Sequence, residues 1–164
     1  KYTKEVITGD PLDPLTELGP VVSIENAYKI KELLVDACNE GAQILCGGQI
    51  KGAMVSPCVI ENVAPMSELL TEETFGPVLP LIRFSTLEQA VEIVNSNQYG
   101  LQAGVLTNNI SVAKKLFNQL DVGTLIVNDG PGFRQEHLAF GGVKSSGIGR
   151  EGIRYAIEEM SSIK

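Results

Sequence analysis

Apolar residues recur at Ile24, Ala27, Ile30, Leu33, Leu34, Ala37 and Cys38, the three-to-four spacing that lines one face of an amphipathic helix. Gly41 follows and is read as the left-handed residue that ends it. Upstream, Gly9-Asp10-Pro11-Leu12-Asp13-Pro14 is a turn segment in which paired prolines exclude helix. Downstream, Gln43–Cys46 reads as a short strand closed by Gly47-Gly48. Residues 55–60 read as a further extended piece, broken by Pro57 and therefore expected on a sheet edge.

The second half alternates more regularly. Residues 78–84 are almost all apolar, the signature of a strand buried on both faces. Ser85-Thr86-Leu87-Glu88 reads as a capping box opening a helix that runs to about Asn95. A strand at 103–107, a helix at 111–120 and a strand at 123–127 follow, and a last helix is expected at 150–160. Strand-helix-strand-helix-strand with helices of about three turns implies parallel strands joined by right-handed crossovers, hence an α/β fold. Ligands in such sheets lie beyond the carboxyl ends of the strands. The loop at 128–142, after the last of these strands, is where function is expected.

Composition narrows the function classes. The formal charge is −7, without a basic stripe or aromatic platform, which argues against nucleic acid as a partner. Three widely spaced cysteines form neither a disulfide framework nor a metal-ligand cluster, and they fit a reducing compartment, the cytoplasm. No apolar run reaches the length of a membrane span, and no membrane partner is expected. The chain opens on Lys1 in what reads as a loop already under way, and 161–164 reads as a strand beginning, so both ends are expected to be cuts within a longer polypeptide.

Three segments could carry chemistry. In Glu72-Glu73-Thr74-Phe75-Gly76-Pro77, a carboxylate could accept hydrogen bonds from both hydroxyls of a ribose while the ring packs on a nicotinamide; alternatively Glu73 is a solvated loop acid and Phe75 a core plug. In the loop at 129–142, Arg134 could hold a carboxylate or phosphate in its planar fork and His137 could assist; alternatively Arg134 caps a helix or pairs with Glu136, and His137 is an ordinary surface side chain. The glycine-rich run at 141–152 lacks the order of a phosphate-binding P-loop, so close backbone packing is its expected role. None of Cys38 on the helix's apolar face, Cys46 ending its strand, or Cys58 has a local cation or helix N-terminus to activate it, and all three are read as structural.

Several motifs, in order along essentially the whole chain, resemble those of NAD(P)-dependent aldehyde dehydrogenases. They are Gly9-Asp10-Pro11 with Thr16-Glu17-Leu18-Gly19-Pro20, Glu73-Thr74-Phe75-Gly76-Pro77, Asn95 with Tyr99-Gly100-Leu101, Gly123-Thr124 with Val127-Asn128, and Phe140-Gly141-Gly142-Val143-Lys144 with Ser146-Gly147 and Gly149-Arg150-Glu151-Gly152. The resemblance implies a three-layer sandwich on a mainly parallel sheet, with residues 1–142 part of the catalytic domain and 143–164 a junction and helix leading to an oligomerisation strand. It implies that Glu73 and Phe75 contact NAD or NADP, and that Asn128, Phe133, Arg134, His137 and Phe140 line the substrate site. The family reaction is cysteine attack on an aldehyde, hydride transfer to the nicotinamide and hydrolysis of the thioester.

The family's Gly-Gln-x-Cys nucleophile motif does not occur in this sequence, so no catalytic residue and no metal ligand is assigned. The chain alone is expected to oxidise no aldehyde and to bind nicotinamide cofactor weakly or not at all. Residues 133–142, with Tyr155-Ala156 and Glu158-Glu159-Met160, look most like the branch acting on lactaldehyde or, without phosphorylation, on glyceraldehyde-3-phosphate, or the phosphonoacetaldehyde enzymes beside it, with Leu138-Ala139 where those relatives commonly carry Met-Pro. A small polar or anionic aldehyde and a homodimeric or homotetrameric full-length protein are the implied partners. The rival readings are a non-enzymatic α/β module that binds a ligand or partner, and an acyl-phosphate reductase relative.

Overall fold

The computed structural model describes residues 1–162 and 164, and it resolves into two compact units, residues 1–83 and 84–164. The strand expected at 161–164 rests on Ile163, which lies outside the described residues.

In the first unit, helix α1 (Ile24–Asn39) follows a run of turns in which the Asp10 and Asp13 side chains accept from the Leu12 and Leu15 amides. Ser23 caps it by accepting from the Asn26 amide. Its end is a Schellman turn: Ala42 N–H donates to Ala37 O, Gly41 N–H donates to Cys38 O, and Gly41 has φ +108°, a conformation that side chains rarely adopt. The stripe Ala27, Ile30, Leu33, Leu34 and Ala37 is buried. Cys38, expected on that stripe, is exposed, because the buried face closes at Ala37.

That stripe packs over a sheet of β1 (Gln43–Cys46), β4 (Cys58–Glu61) and β5 (Val78–Leu81), in the order β1-β4-β5. β4 runs antiparallel to β1 and parallel to β5. The extended piece expected at 55–60 is two strands, and the second is central rather than an edge. Pro57 separates β4 from β3 (Met54–Val55), which forms a hairpin with β2 (Ile50–Lys51). The proline lies before the paired residues, so its missing N–H costs β4 no ladder bond. β5 is the shorter surprise. It stops at Leu81 and pairs only β4 among the described residues, and Leu79 and Phe84 are exposed, so the run expected to be buried on both faces is not. A single-turn helix α2 (Glu68–Thr71) inserts buried Leu69 into the core.

The second unit carries α3 (Leu87–Asn95), β6 (Tyr99–Gly100), β7 (Gln102–Val105), α4 (Ile110–Gln119), β8 (Thr124–Val127), β9 (Val143–Lys144) and α5 (Ile153–Glu159). The capping box sits one residue along from its expected position. Thr86 is the N-cap and accepts from the Gln89 amide, while Gln89 Oε1 accepts from the Ser85 amide. Asn109 caps α4 by the same device on Ser111. β7 and β8 pair in parallel across α4, as the alternation requires, and β6 and β9 form a short antiparallel pair. The α/β class expected from the sequence is therefore the class adopted, with parallel and antiparallel pairs mixed.

Candidate functional site

Residues 72–77 turn from α2 into β5, which begins beside the central strand: Pro77 O accepts from the Cys58 amide at 2.8 Å. Gly76 lies where a Cβ would collide with the Ile30 side chain, so the buried stripe of α1 fixes the height of this turn. Phe75 has φ +49°, an outlying backbone conformation for an aromatic residue, of the kind that costs about 1–3 kcal/mol. Asn26 opposes that strain, its Nδ2 donating to Phe75 O at 3.0 Å. The result is a ring held 67% exposed beside an exposed Glu73 carboxylate. Phe75 is therefore not a core plug.

The second cluster begins at the carboxyl end of β8. Asn128 has φ +62°; its amide donates to Val105 O at 2.7 Å, and its Oδ1 accepts from the Thr107 amide at 2.8 Å. It thus fastens the end of β8 to the chain leaving β7. Gln102 Nε2 donates to Phe133 O at 3.3 Å, which ties the loop back to β7. The loop returns at Phe140, which exchanges two backbone hydrogen bonds with Glu151. Arg134 closes the figure: its Nη2 lies 2.9 Å from Glu151 Oε2, and its guanidinium carbon lies 4.3 Å from the centroid of the Phe140 ring. Neither alternative partner foreseen for Arg134, a helix end or Glu136, is the one it takes.

The fold thus brings Arg134, Phe140 and Glu151 together and holds Phe133 by its carbonyl. His137 sits on an exposed turn, and no hydrogen bond or ion pair joins it to that trio among the described residues. Glu151 was not singled out as a site residue from sequence. Its signal was its place in Gly149-Arg150-Glu151-Gly152, where glycines permit the return strand to lie against Phe140.

The glycine-rich run does what close packing predicts. Lys144 Nζ donates to the carbonyls of Asn95 and Asn97 at the end of α3, a favourable place for a cation. Arg150 donates to the carbonyls of Gly142 and Gly149. Ser146 Oγ accepts from the Gly100 amide. Asn95 is a second residue with an unforeseen role: its side chain donates to Gln119 O and accepts from the Asp121 amide, stitching α3 to the end of α4.

The cysteines hold no site. Cys58 is buried in the central strand rather than at an edge, and burial pushes its thiol up to about 11, with Cys46 and Cys38 adding in the same direction. Its thiol form therefore persists well above neutral pH, the opposite of nucleophile activation. Among the described residues no three His, Cys, Asp or Glu side chains are grouped to hold a metal ion, and no helix is long and apolar enough to cross a membrane.

Residues 1–164 match the aldehyde dehydrogenase family. Similar proteins include a sulfoacetaldehyde dehydrogenase of Neptuniibacter caesariensis, 51% identical over 99% of this chain and 36% of its own. A lactaldehyde dehydrogenase of Methanococcus maripaludis is 46% identical over 99% of this chain and 35% of its own. The solved glyceraldehyde-3-phosphate dehydrogenase of Methanocaldococcus jannaschii, complexed with NADP, superposes with a TM-score of 0.95 at 41% identity, covering 99% of this chain and 35% of that one. The chain thus spans about a third of the length of the curated relatives it matches.

Proposed function

The chain belongs to the aldehyde dehydrogenase family, and from that premise we propose that it is part of a cytoplasmic oxidoreductase that converts a small anionic aldehyde to its acid with NAD or NADP. Residues 1–142 are part of its catalytic domain, and 143–164 are a junction and helix.

The observation that carries the reading is the exposed Arg134 guanidinium in the loop that follows β8, its carbon 4.3 Å from the centroid of the Phe140 ring. Its fork suits the oxyanions of a carboxylate, sulfonate or phosphate group. Phe133, His137 and Phe140 share that loop, and Asn128 fastens its start. The name of one similar protein runs the same way, toward the sulfonate of sulfoacetaldehyde, whereas lactaldehyde, in the name of another, is small and polar but uncharged.

Glu73 and Phe75 fit a nicotinamide cofactor. The carboxylate is free to accept from both ribose hydroxyls, and the exposed ring offers an apolar face to the nicotinamide. When bound, that cofactor supplies the hydride acceptor. The contribution of these residues is orientation, and the strained Phe75 backbone, held by Asn26, aims the ring in advance.

In the full-length enzyme, Arg134→Ala should raise KM for an anionic aldehyde about tenfold to a hundredfold, the worth of a charge-assisted hydrogen bond, and raise it less for acetaldehyde. Equal effects on both substrates would remove the basis for an anionic substrate. The 164-residue chain alone, lacking a Gly-Gln-x-Cys segment, should show no saturable NAD- or NADP-dependent turnover of any aldehyde. Such turnover would place the nucleophile among Cys38, Cys46 and Cys58.

A further inference from the structure

The chain leaving β8 doubles back across one face of β7. Gln102 and Gly104 lie two residues apart on that strand and therefore point to the same side of it. At Gly104 a Cβ would lie 2.9 Å from Asp129 O and 3.2 Å from Pro131 Cδ, so the loop passes there at a distance that a side chain would not permit. At Gln102 the side chain fills the same gap instead, its Nε2 donating to Phe133 O at 3.3 Å. Residues 129–133 thus run back along β7, with Asp129 and Pro131 over Gly104 and Phe133 over Gln102.

The carbonyl that Gln102 holds belongs to the peptide plane joining Phe133 to Arg134, so one hydrogen bond orients the attachment of both residues. The other hydrogen bonds of the loop are local: Phe133 N–H to Gly130 O, Leu138 N–H to Gln135 O and Gly130 N–H to Asp129 Oδ1. Among the described residues, two hydrogen bonds tie 129–139 to the rest of its unit, the one from Gln102 and the one from Arg134 to Glu151. The second is made by the guanidinium proposed to receive the substrate, so it can be exchanged for a hydrogen bond to an incoming anion. The first holds the backbone and survives that exchange. We infer that Gln102 is a positioning residue for substrate binding: with the loop seated on Gly104, it fixes the Phe133–Arg134 peptide before the aldehyde arrives and so reduces the ordering cost of binding. The inference rests on the proposed role of this loop in binding the aldehyde.

Gln102→Met keeps the length of the side chain and removes the donor. In the full-length enzyme it should raise KM for sulfoacetaldehyde about threefold to tenfold, the worth of one hydrogen bond, with kcat and cofactor KM within about twofold of the parent. Trypsin gives a readout independent of turnover, because Arg134 is itself a cleavage site within the loop. Cleavage after Arg134, followed by the mass of the released peptides, should quicken about threefold to tenfold as the open population of the loop grows. Cleavage after other lysines and arginines should keep the parent rate. Gln102→Glu, whose carboxylate only accepts at pH 8, should quicken the same cut, and so should Gly104→Ala, whose methyl would press on Asp129 O. The inference requires both changes in Gln102→Met: KM or cleavage at the parent value overturns it, and so does faster cleavage at every site, which would make the bond a general support of the fold. Arg134→Ala separates the two levels. If it weakens sulfoacetaldehyde more than acetaldehyde while Gln102→Met changes neither readout, the substrate reading stands and the Gln102 inference falls. If Arg134→Ala shows no such selectivity and Gln102→Met speeds the cut without raising KM, the loop is held by Gln102 but does not bind the aldehyde, and both fall.

Discussion

Gly123→Ala should lower the stability of the chain by about 3–5 kcal/mol, and so move its urea midpoint down by about 2 M. Gly123 opens β8 where three backbones meet. Its N–H donates to the Gly100 and Leu101 carbonyls, and a Cβ there would lie 2.8 Å from Gly141 C and 3.0 Å from Leu101 O, inside the van der Waals limit on two sides. These neighbours are backbone and cannot rotate aside as a side chain would. The strand must then leave Leu101 or push Gly141 away. The second course displaces Phe140, one residue earlier, and with it the ring on which Arg134 rests. Gly130→Ala is the matched control in the loop itself, because nothing lies within 4 Å of its added methyl, and it should change stability by less than about 0.5 kcal/mol. A Gly123→Ala midpoint equal to that of Gly130→Ala would mean that the close approach to Gly141 is not a constraint on the fold.

This crowding also explains what could be read in the sequence and what could not. Local signals with a fixed mechanism were legible. The α1 stripe, its Gly41 terminus and the parallel pairing across α4 follow from periodicity, the left-handed cap and crossover geometry, each a property of neighbouring residues. Burial was less legible, because it depends on partners that periodicity does not name. Residues 78–84 are apolar enough for a doubly covered strand, yet β5 has one strand neighbour among the described residues; Pro57 suggested an edge, yet it only separates a hairpin strand from the central strand. In the candidate site, residue types were visible but pairings were not. Arg134 stood out as the one arginine of the loop at 129–142, whereas its partner Glu151 is reached only through the backbone exchange between Phe140 and Glu151. Asn95 and Lys144 looked like motif positions and proved to be clamps on the end of α3 and its connection to α4.

Ile30→Ala should cost about 2–5 kcal/mol, and Ile30→Val only about 1 kcal/mol. Ile30 is fully buried on the inner face of α1, among the core side chains of the first unit, so truncation removes both its transfer free energy and its packing partners. Its position gives the loss a second consequence. Ile30 supports Gly76, the residue after the strained Phe75, while Asn26, one turn earlier on α1, holds the Phe75 carbonyl. One helix thus supplies both the floor and the tether of the turn at 73–77. With the floor gone, the chain can settle inward, and Phe75 can leave its positive φ and recover part of a strain of about 1–3 kcal/mol. Ile30→Ala in the full-length enzyme should therefore raise KM for NAD or NADP at temperatures where the protein remains folded, whereas Ile30→Val, which keeps most of the floor, should lower the midpoint without doing so. A core variant elsewhere in the same cluster separates these effects. Leu69→Ala removes a buried side chain of α2, whereas the atoms nearest a Cβ at Gly76 belong to Ile30 and Val21, so its stability loss should fall in the same range with a smaller change in cofactor KM. Equal changes in KM for Ile30→Ala and Leu69→Ala would assign the effect to general loosening of the first unit, and would remove α1 from the orientation of Phe75.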